Sequence, residues 1–129
     1  MNAPLNLNQF TGSVEFYRFG LTSSVMSQGV YHVAEQLGAY WLIQDIDLYV
    51  RMELGKKGLE TDFVVAKLKP SVDGAAILTL EDGNYQVLFE HIVPFTDFDF
   101  DRVPDDFQIW VGRNDMSAPS WTLYLPQEH

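Results

Sequence analysis

Apolar residues along this chain change their spacing near Leu59, and the change separates a helix-forming part from a strand-forming part. From Ser27 onward, Val30, Val33, Ala34 and Leu37 recur three and four residues apart, the spacing of one helix face. Gly38 is placed to end that helix in the left-handed region, and Thr22, Ser23, Ser24 and Ser27 offer hydroxyls to cap its start. A second helix is predicted from Ala39 to about Leu54. Its apolar stripe is Leu42, Ile46 and Val50, widened by Trp41 and Tyr49. Gly55 and Gly58 close it, and Lys56 and Lys57 suit the negative end of the helix dipole.

Beyond Leu59 the period becomes two. Short strands are predicted at Phe63 to Leu68, Ala76 to Leu80, Tyr85 to Val93, Phe107 to Val111 and Trp121 to Leu125. Glu81-Asp82-Gly83-Asn84 marks a hairpin, because Asp-Gly supplies the positive φ angles of a tight turn. Nearer the start, Val14 to Phe19 fits a strand or a helix equally, Gln9 to Gly12 forms a turn, and the first nine residues form a loose or capping arm. The expected fold is α+β, with two helices packed on one face of a four- or five-stranded antiparallel sheet. One domain over residues 1–129 is expected, with no repeat and no linker.

Composition narrows the class. The chain is 47% hydrophobic and 14% aromatic, which excludes an acidic disordered tail and supplies a real core. The absence of cysteine excludes disulfides, thiolate metal sites and a cysteine nucleophile, and fits a cytoplasmic location. No secretory pattern opens the sequence and no apolar run is long enough to span a membrane.

Charge changes the picture most. Of the net −10, residues 1–69 contribute −1 and residues 70–129 contribute −9. Asp97, Asp99, Asp101, Asp105 and Asp106 put five carboxylates into ten residues, offset only by Arg102. Such a field repels nucleic acid and anionic lipid and attracts basic surfaces. In Phe95-Thr96-Asp97-Phe98-Asp99-Phe100-Asp101, Phe and Asp alternate. If extended, this run carries its aspartates on one side, roughly 6.6–7 Å apart, near the phosphate spacing of a nucleic-acid strand. The competing reading is a charged edge strand kept soluble and unpaired.

Ordinary catalytic sets are missing. His32, His91 and His129 form no H-E-x-x-H motif, and no EF-hand loop occurs: Arg102 stands where the Gly of an Asp97-Asp99-Asp101 loop belongs, and Gln108 where its Glu belongs. There is no G-x-S-x-G elbow, no Walker loop and no G-x-G-x-x-G, and Ser23 and Ser24 near His32 suit helix capping better than catalysis. Metal and cofactor are therefore both expected to be absent. The aromatics Phe10, Phe16, Tyr17, Phe19, Tyr40 and Trp41 fit core packing or the walls of a ligand pocket.

The segments Gln9-Phe10-Thr11-Gly12, Tyr17-Arg18, Gly38-Ala39-Tyr40-Trp41-Leu42, Leu80-Glu81-Asp82-Gly83-Asn84 and Pro94-Phe95-Thr96-Asp97-Phe98 carry a resemblance. Their order over residues 8–98 resembles an uncharacterised domain-of-unknown-function family of bacterial, phage and plasmid proteins. Residues 99–129, with their extra aspartates, depart from the short family ending. The resemblance brings no catalytic or binding residues with it, and it implies an accessory protein of a mobile genetic element. By analogy with small acidic proteins of such elements, the expected function is non-enzymatic and anti-CRISPR-like. Asp97, Asp99, Asp101, Asp105 and Asp106 would occupy the basic nucleic-acid-binding surface of a host defence or DNA-processing protein, with no direct nucleic-acid contact. One alternative is a small-ligand binder or an enzyme with a dispersed site around Tyr17, His32, Glu35 and Trp41. Another is a homo-oligomer, such as a homodimer, pairing through Trp121 to Leu125 as an edge strand.

Overall fold

Ser27 starts the first helix as the pattern requires. Its backbone is extended at φ −73° and ψ 171°, and its Oγ accepts the Val30 N–H at 3.2 Å. Helix α1 (Gln28–Leu37) buries Val30, Val33 and Ala34 and stops at Gly38, where φ is +60° and the N–H bonds back to the Ala34 carbonyl. Helix α2 (Tyr40–Lys57) buries Leu42, Ile43, Ile46 and Val50. It runs past the predicted end at Leu54 and keeps Gly55 inside it, a tolerable loss of helix propensity. The computed structural model describes residues 4–5, 7–9, 16–18, 24–57, 63–113 and 121–128. Thr22, Ser23 and the Phe10 to Gly12 part of the predicted turn lie outside them.

The five predicted strands are present as β3 (Phe63–Pro70), β4 (Ala76–Glu81), β5 (Val87–Val93), β6 (Gln108–Arg113) and β7 (Trp121–Tyr124). Two more precede α1: β1 (Phe16–Arg18) and β2 (Val25–Ser27). The sheet is therefore seven-stranded and mixed, in the order β1-β2-β7-β6-β3-β4-β5, and not four- or five-stranded and antiparallel. β2 lies parallel to β7 and the other pairings are antiparallel. Three-residue strands are too short to display a period of two, which is why β1 was ambiguous and β2 was hidden among candidate caps. β7 lies between β2 and β6 and is not an edge, so the surface expected for self-pairing does not exist there.

The two Asp-Gly turns exchange roles. Asp73 (φ 55°) and Gly74 (φ 79°) adopt the two positive angles between β3 and β4. At the β4–β5 turn the positive angle falls on Tyr85 (φ 68°), not on Gly83. Asp82 builds that turn with its side chain, whose Oδ1 accepts the N–H groups of Asn84 at 2.7 Å and Gln86 at 2.9 Å. One face of the sheet packs Val64, Ala66, Leu68, Leu78, Leu80, Ile109, Val111 and Leu123 into the core shared with the helices. The other face carries Phe63, Lys67, Glu81, Trp110 and Tyr124, with an edge-to-face Phe63–Trp110 pair at 5.2 Å and a Lys67–Glu81 ion pair at 3.1 Å. No helix among the described residues is long and apolar enough to cross a membrane.

Candidate partner-binding surface

The acidic segment is not the extended ribbon that Asp/Phe alternation suggested. After β5 the chain turns, and residues Phe100–Arg102 form a single 3-10 turn. Asp99 caps that turn through its Oδ1, which accepts the Asp101 N–H at 3.2 Å. A short carboxylate two residues before a free N–H favours this local bond over an extended strand. The aspartates consequently form no evenly spaced row. Asp97, Asp101, Asp105 and Asp106 are exposed and Asp99 is half-buried.

What survives of the alternation is the anchoring. Phe98, Val103 and Phe107 are buried in the core, and Phe98 packs edge-to-face on Phe100 at 4.9 Å. The Thr96 N–H bonds to the Gly74 carbonyl at 3.0 Å, tying the segment to the β3–β4 turn that carries exposed Asp73. Farther along, Arg102 donates to the Gln36 carbonyl at the end of α1 at 3.1 Å, and its own carbonyl accepts the Leu5 N–H at 2.9 Å. The N-terminal arm thus straps this segment, with Leu7 buried and its carbonyl held by Gln127 Nε2 at 3.0 Å. Phe95 is 77% exposed beside the turn.

Of the alternative site, Tyr17 and Glu35 are linked through rings absent from its core set. Tyr17 stacks on Tyr31 at 4.4 Å, Tyr31 meets Tyr40 edge-on at 6.4 Å, and the Tyr40 hydroxyl donates to Glu35. His32 is half-buried on α1 and Trp41 packs against the core. Desolvation, and then the Glu35 carboxylate, hold the Tyr40 phenol well above the ordinary 10.0. Burial also raises Tyr49 and Tyr124. A raised phenol keeps its proton in the folded chain where the unfolded chain releases it, so its contribution is intact below the unfolded value and lost at higher pH. Stability should fall as pH climbs above 10.0, and Tyr40→Phe should make that fall shallower. Urea midpoints between about pH 9 and pH 11 check this.

Two buried polar clusters were missed. Ser24, fully buried, donates to Asp47 Oδ1 at 2.6 Å and accepts the Trp121 N–H at 3.1 Å. Arg51 Nη2 reaches Asp47 Oδ1 at 3.2 Å from one helical turn away. The i,i+4 spacing of Asp47 and Arg51 is the one signal of this cluster that the sequence offers. Glu128, 8% exposed, receives Ser27 Oγ at 2.5 Å, the Gly29 N–H at 3.1 Å and the Leu125 N–H at 2.8 Å. A Cβ at position 29 would lie 2.7 Å from Glu128 Oε1, so any larger residue there must displace the carboxylate. Both clusters bridge segments distant in sequence, and Ser24, Ser27, Asp47 and Glu128 are buried in them. Among the described residues, no three His, Asp or Glu side chains gather as a metal set.

No curated protein and no solved structure matches the chain. A family model does, and it extends through residues 99–129, which were expected to depart from the family ending. With residues 1–129 matched, the chain belongs to DUF6876, a family of unknown function.

Proposed function

We infer that this chain is a non-enzymatic acidic interaction protein whose segment 97–106 occupies a basic, nucleic-acid-binding surface of another protein. The observation that carries the reading is the exposure of Asp97, Asp101, Asp105 and Asp106 on a segment pinned by buried Phe98, Val103 and Phe107. Pinned carboxylates present their charge without ordering a flexible tail on contact, and that saves affinity. A surface built to hold phosphates offers the Lys and Arg such a patch attracts. Defence and DNA-processing complexes of a host are the target class, and competition with nucleic acid is the mode of action.

Replacing Asp97, Asp99 and Asp101 with Asn separates folding from binding. Asn keeps the side-chain volume, and it still caps a turn at position 99. The urea midpoint should stay where it is or rise slightly as like-charge repulsion is relieved. Affinity for a basic partner should drop about tenfold, chiefly through slower association, with a shallower dependence on salt. Unchanged affinity would leave the aspartates as a solubility feature.

A further inference from the structure

The β4–β5 turn holds a tyrosine where the backbone favours glycine. Tyr85 has φ 68°, a left-handed angle that a bulky residue rarely adopts, although Gly83 and Asn84 precede it in the same turn. The ring gains no burial in return, since Tyr85 is 82% exposed. It gains a position: Lys67 Nζ lies 5.8 Å from its centroid. Backbone strain that packing does not explain points to a use for the side chain.

Tyr85 lines a cleft of about 220 Å³. Phe63, Lys67, Glu81, Gln108 and Trp110 line it too, and they alternate along their strands with the core residues Val64, Ala66, Leu80 and Ile109. The cleft therefore opens on the sheet face opposite the helices. Phe63 and Trp110 form a corner, with ring centroids 5.2 Å apart and planes at 87°. Phe63 reaches the turn, its Cδ2 lying 3.5 Å from where a Cβ on Gly83 would stand. Lys67 and Glu81 pair at 3.1 Å, with side chains 19% and 13% exposed. Trp110 Nε1 donates to Gln108 Oε1 at 3.0 Å, which leaves Gln108 Nε2 as a donor.

These walls discriminate among ligands. Lys67 already presents its ammonium to Tyr85, so a cationic ligand meets a like charge. Glu81 and the turn residue Asp82, both in the lining, oppose an anion such as the phosphate of a nucleotide. A purely apolar ring would strip water from Lys67, Glu81 and Gln108 without replacing its hydrogen bonds. A neutral, saturated ring bearing hydroxyls meets every wall. Its C–H groups face the electron-rich aromatic surfaces, and its hydroxyls, each donor and acceptor, serve the polar side chains.

We propose that this cleft binds one pyranose ring of a neutral saccharide. At about 220 Å³ it is smaller than a pocket for a drug-sized ligand, as suits a single ring. None of its lining residues belongs to segment 97–106, so the inference goes beyond the function above and can fail without it.

The test titrates the methyl glycosides of glucose, galactose, mannose and N-acetylglucosamine into the full chain, each to about 50 mM, with binding read by two-dimensional amide NMR. At least one should bind saturably, with a Kd of about 1–10 mM, and shift the Trp110 indole N–H and the Lys67 and Tyr85 amides. Tyr85→Gly removes the ring and suits the backbone angle, so that variant should stay folded and bind at least about fivefold more weakly. Failure of all four glycosides to saturate overturns the proposal. So does unchanged affinity in folded Tyr85→Gly, which would place the sugar elsewhere. Adenosine monophosphate or choline moving the same signals while the glycosides do not overturns it in favour of a nucleotide or a cation.

Discussion

Glu128→Ala should lower stability by about 3 kcal/mol, because it leaves buried donors without their acceptor. The Glu128 carboxylate joins the 3-10 turn Pro126–Glu128 to the start of α1, satisfying the Gly29 and Leu125 N–H groups and the Ser27 hydroxyl together. Its charge also sits at the positive end of the α1 dipole, where a carboxylate is favoured. Glu128→Gln keeps the shape but turns one acceptor into a donor facing donors, so it should recover only part of the loss. Gly29→Ala tests the same contact from the helix side. Its Cβ would press on Glu128 Oε1 and on Leu125 Cδ1, both at 2.7 Å, so it should cost about 1–3 kcal/mol. Urea denaturation measures all three. A loss below about 1 kcal/mol for Glu128→Ala would mean that water replaces the carboxylate without strain.

Asp47→Ala should be comparably damaging, at about 2–4 kcal/mol. Asp47 is 5% exposed and binds both the Ser24 hydroxyl and Arg51. Removing it takes the carboxylate from a guanidinium whose side chain is only 25% exposed and which keeps a 3.3 Å bond to the Ser24 hydroxyl, while that hydroxyl keeps the Trp121 N–H and loses the Asp47 acceptor. The remaining exposure of Arg51 screens part of the cost, which sets the lower bound. Replacing the pair, Asp47→Leu with Arg51→Met, should cost less than Asp47→Ala alone, since no charge is then left buried. Additive losses in that cycle would show that the pair is not coupled.

Local signals carried much of the fold. Ser27 and Gly38 bounded α1 because capping and a positive φ are decided by residues a few positions apart. The five longer strands were legible because alternation over several residues marks a half-buried surface. What stayed hidden depends on long-range partners. β2 is a strand because it lies beside β7, nearly a hundred residues later, and nothing within Val25–Ser27 announces that neighbour. Glu128 looked like one acid among many until the fold set it against Ser27 and Gly29. For the candidate surface, the charge was visible and its geometry was not: Asp99 spends its carboxylate on a turn, and the row of aspartates dissolves into a patch. The place of β5 at the end of the described strand order was equally invisible, since which strand ends a sheet is a property of topology.

Competition with nucleic acid is the most direct measurement of the inferred function. The tagged chain is incubated with host extract, with and without added duplex DNA and RNA, at low and high salt. It is compared with the Asp97, Asp99, Asp101, Asp105 and Asp106→Asn variant. The expected result is a basic nucleic-acid-binding protein that is held by the native chain, released by nucleic acid and by salt, and lost from the variant. A partner held equally by both chains, and indifferent to nucleic acid and salt, would contradict the inference that segment 97–106 occupies a phosphate-binding groove.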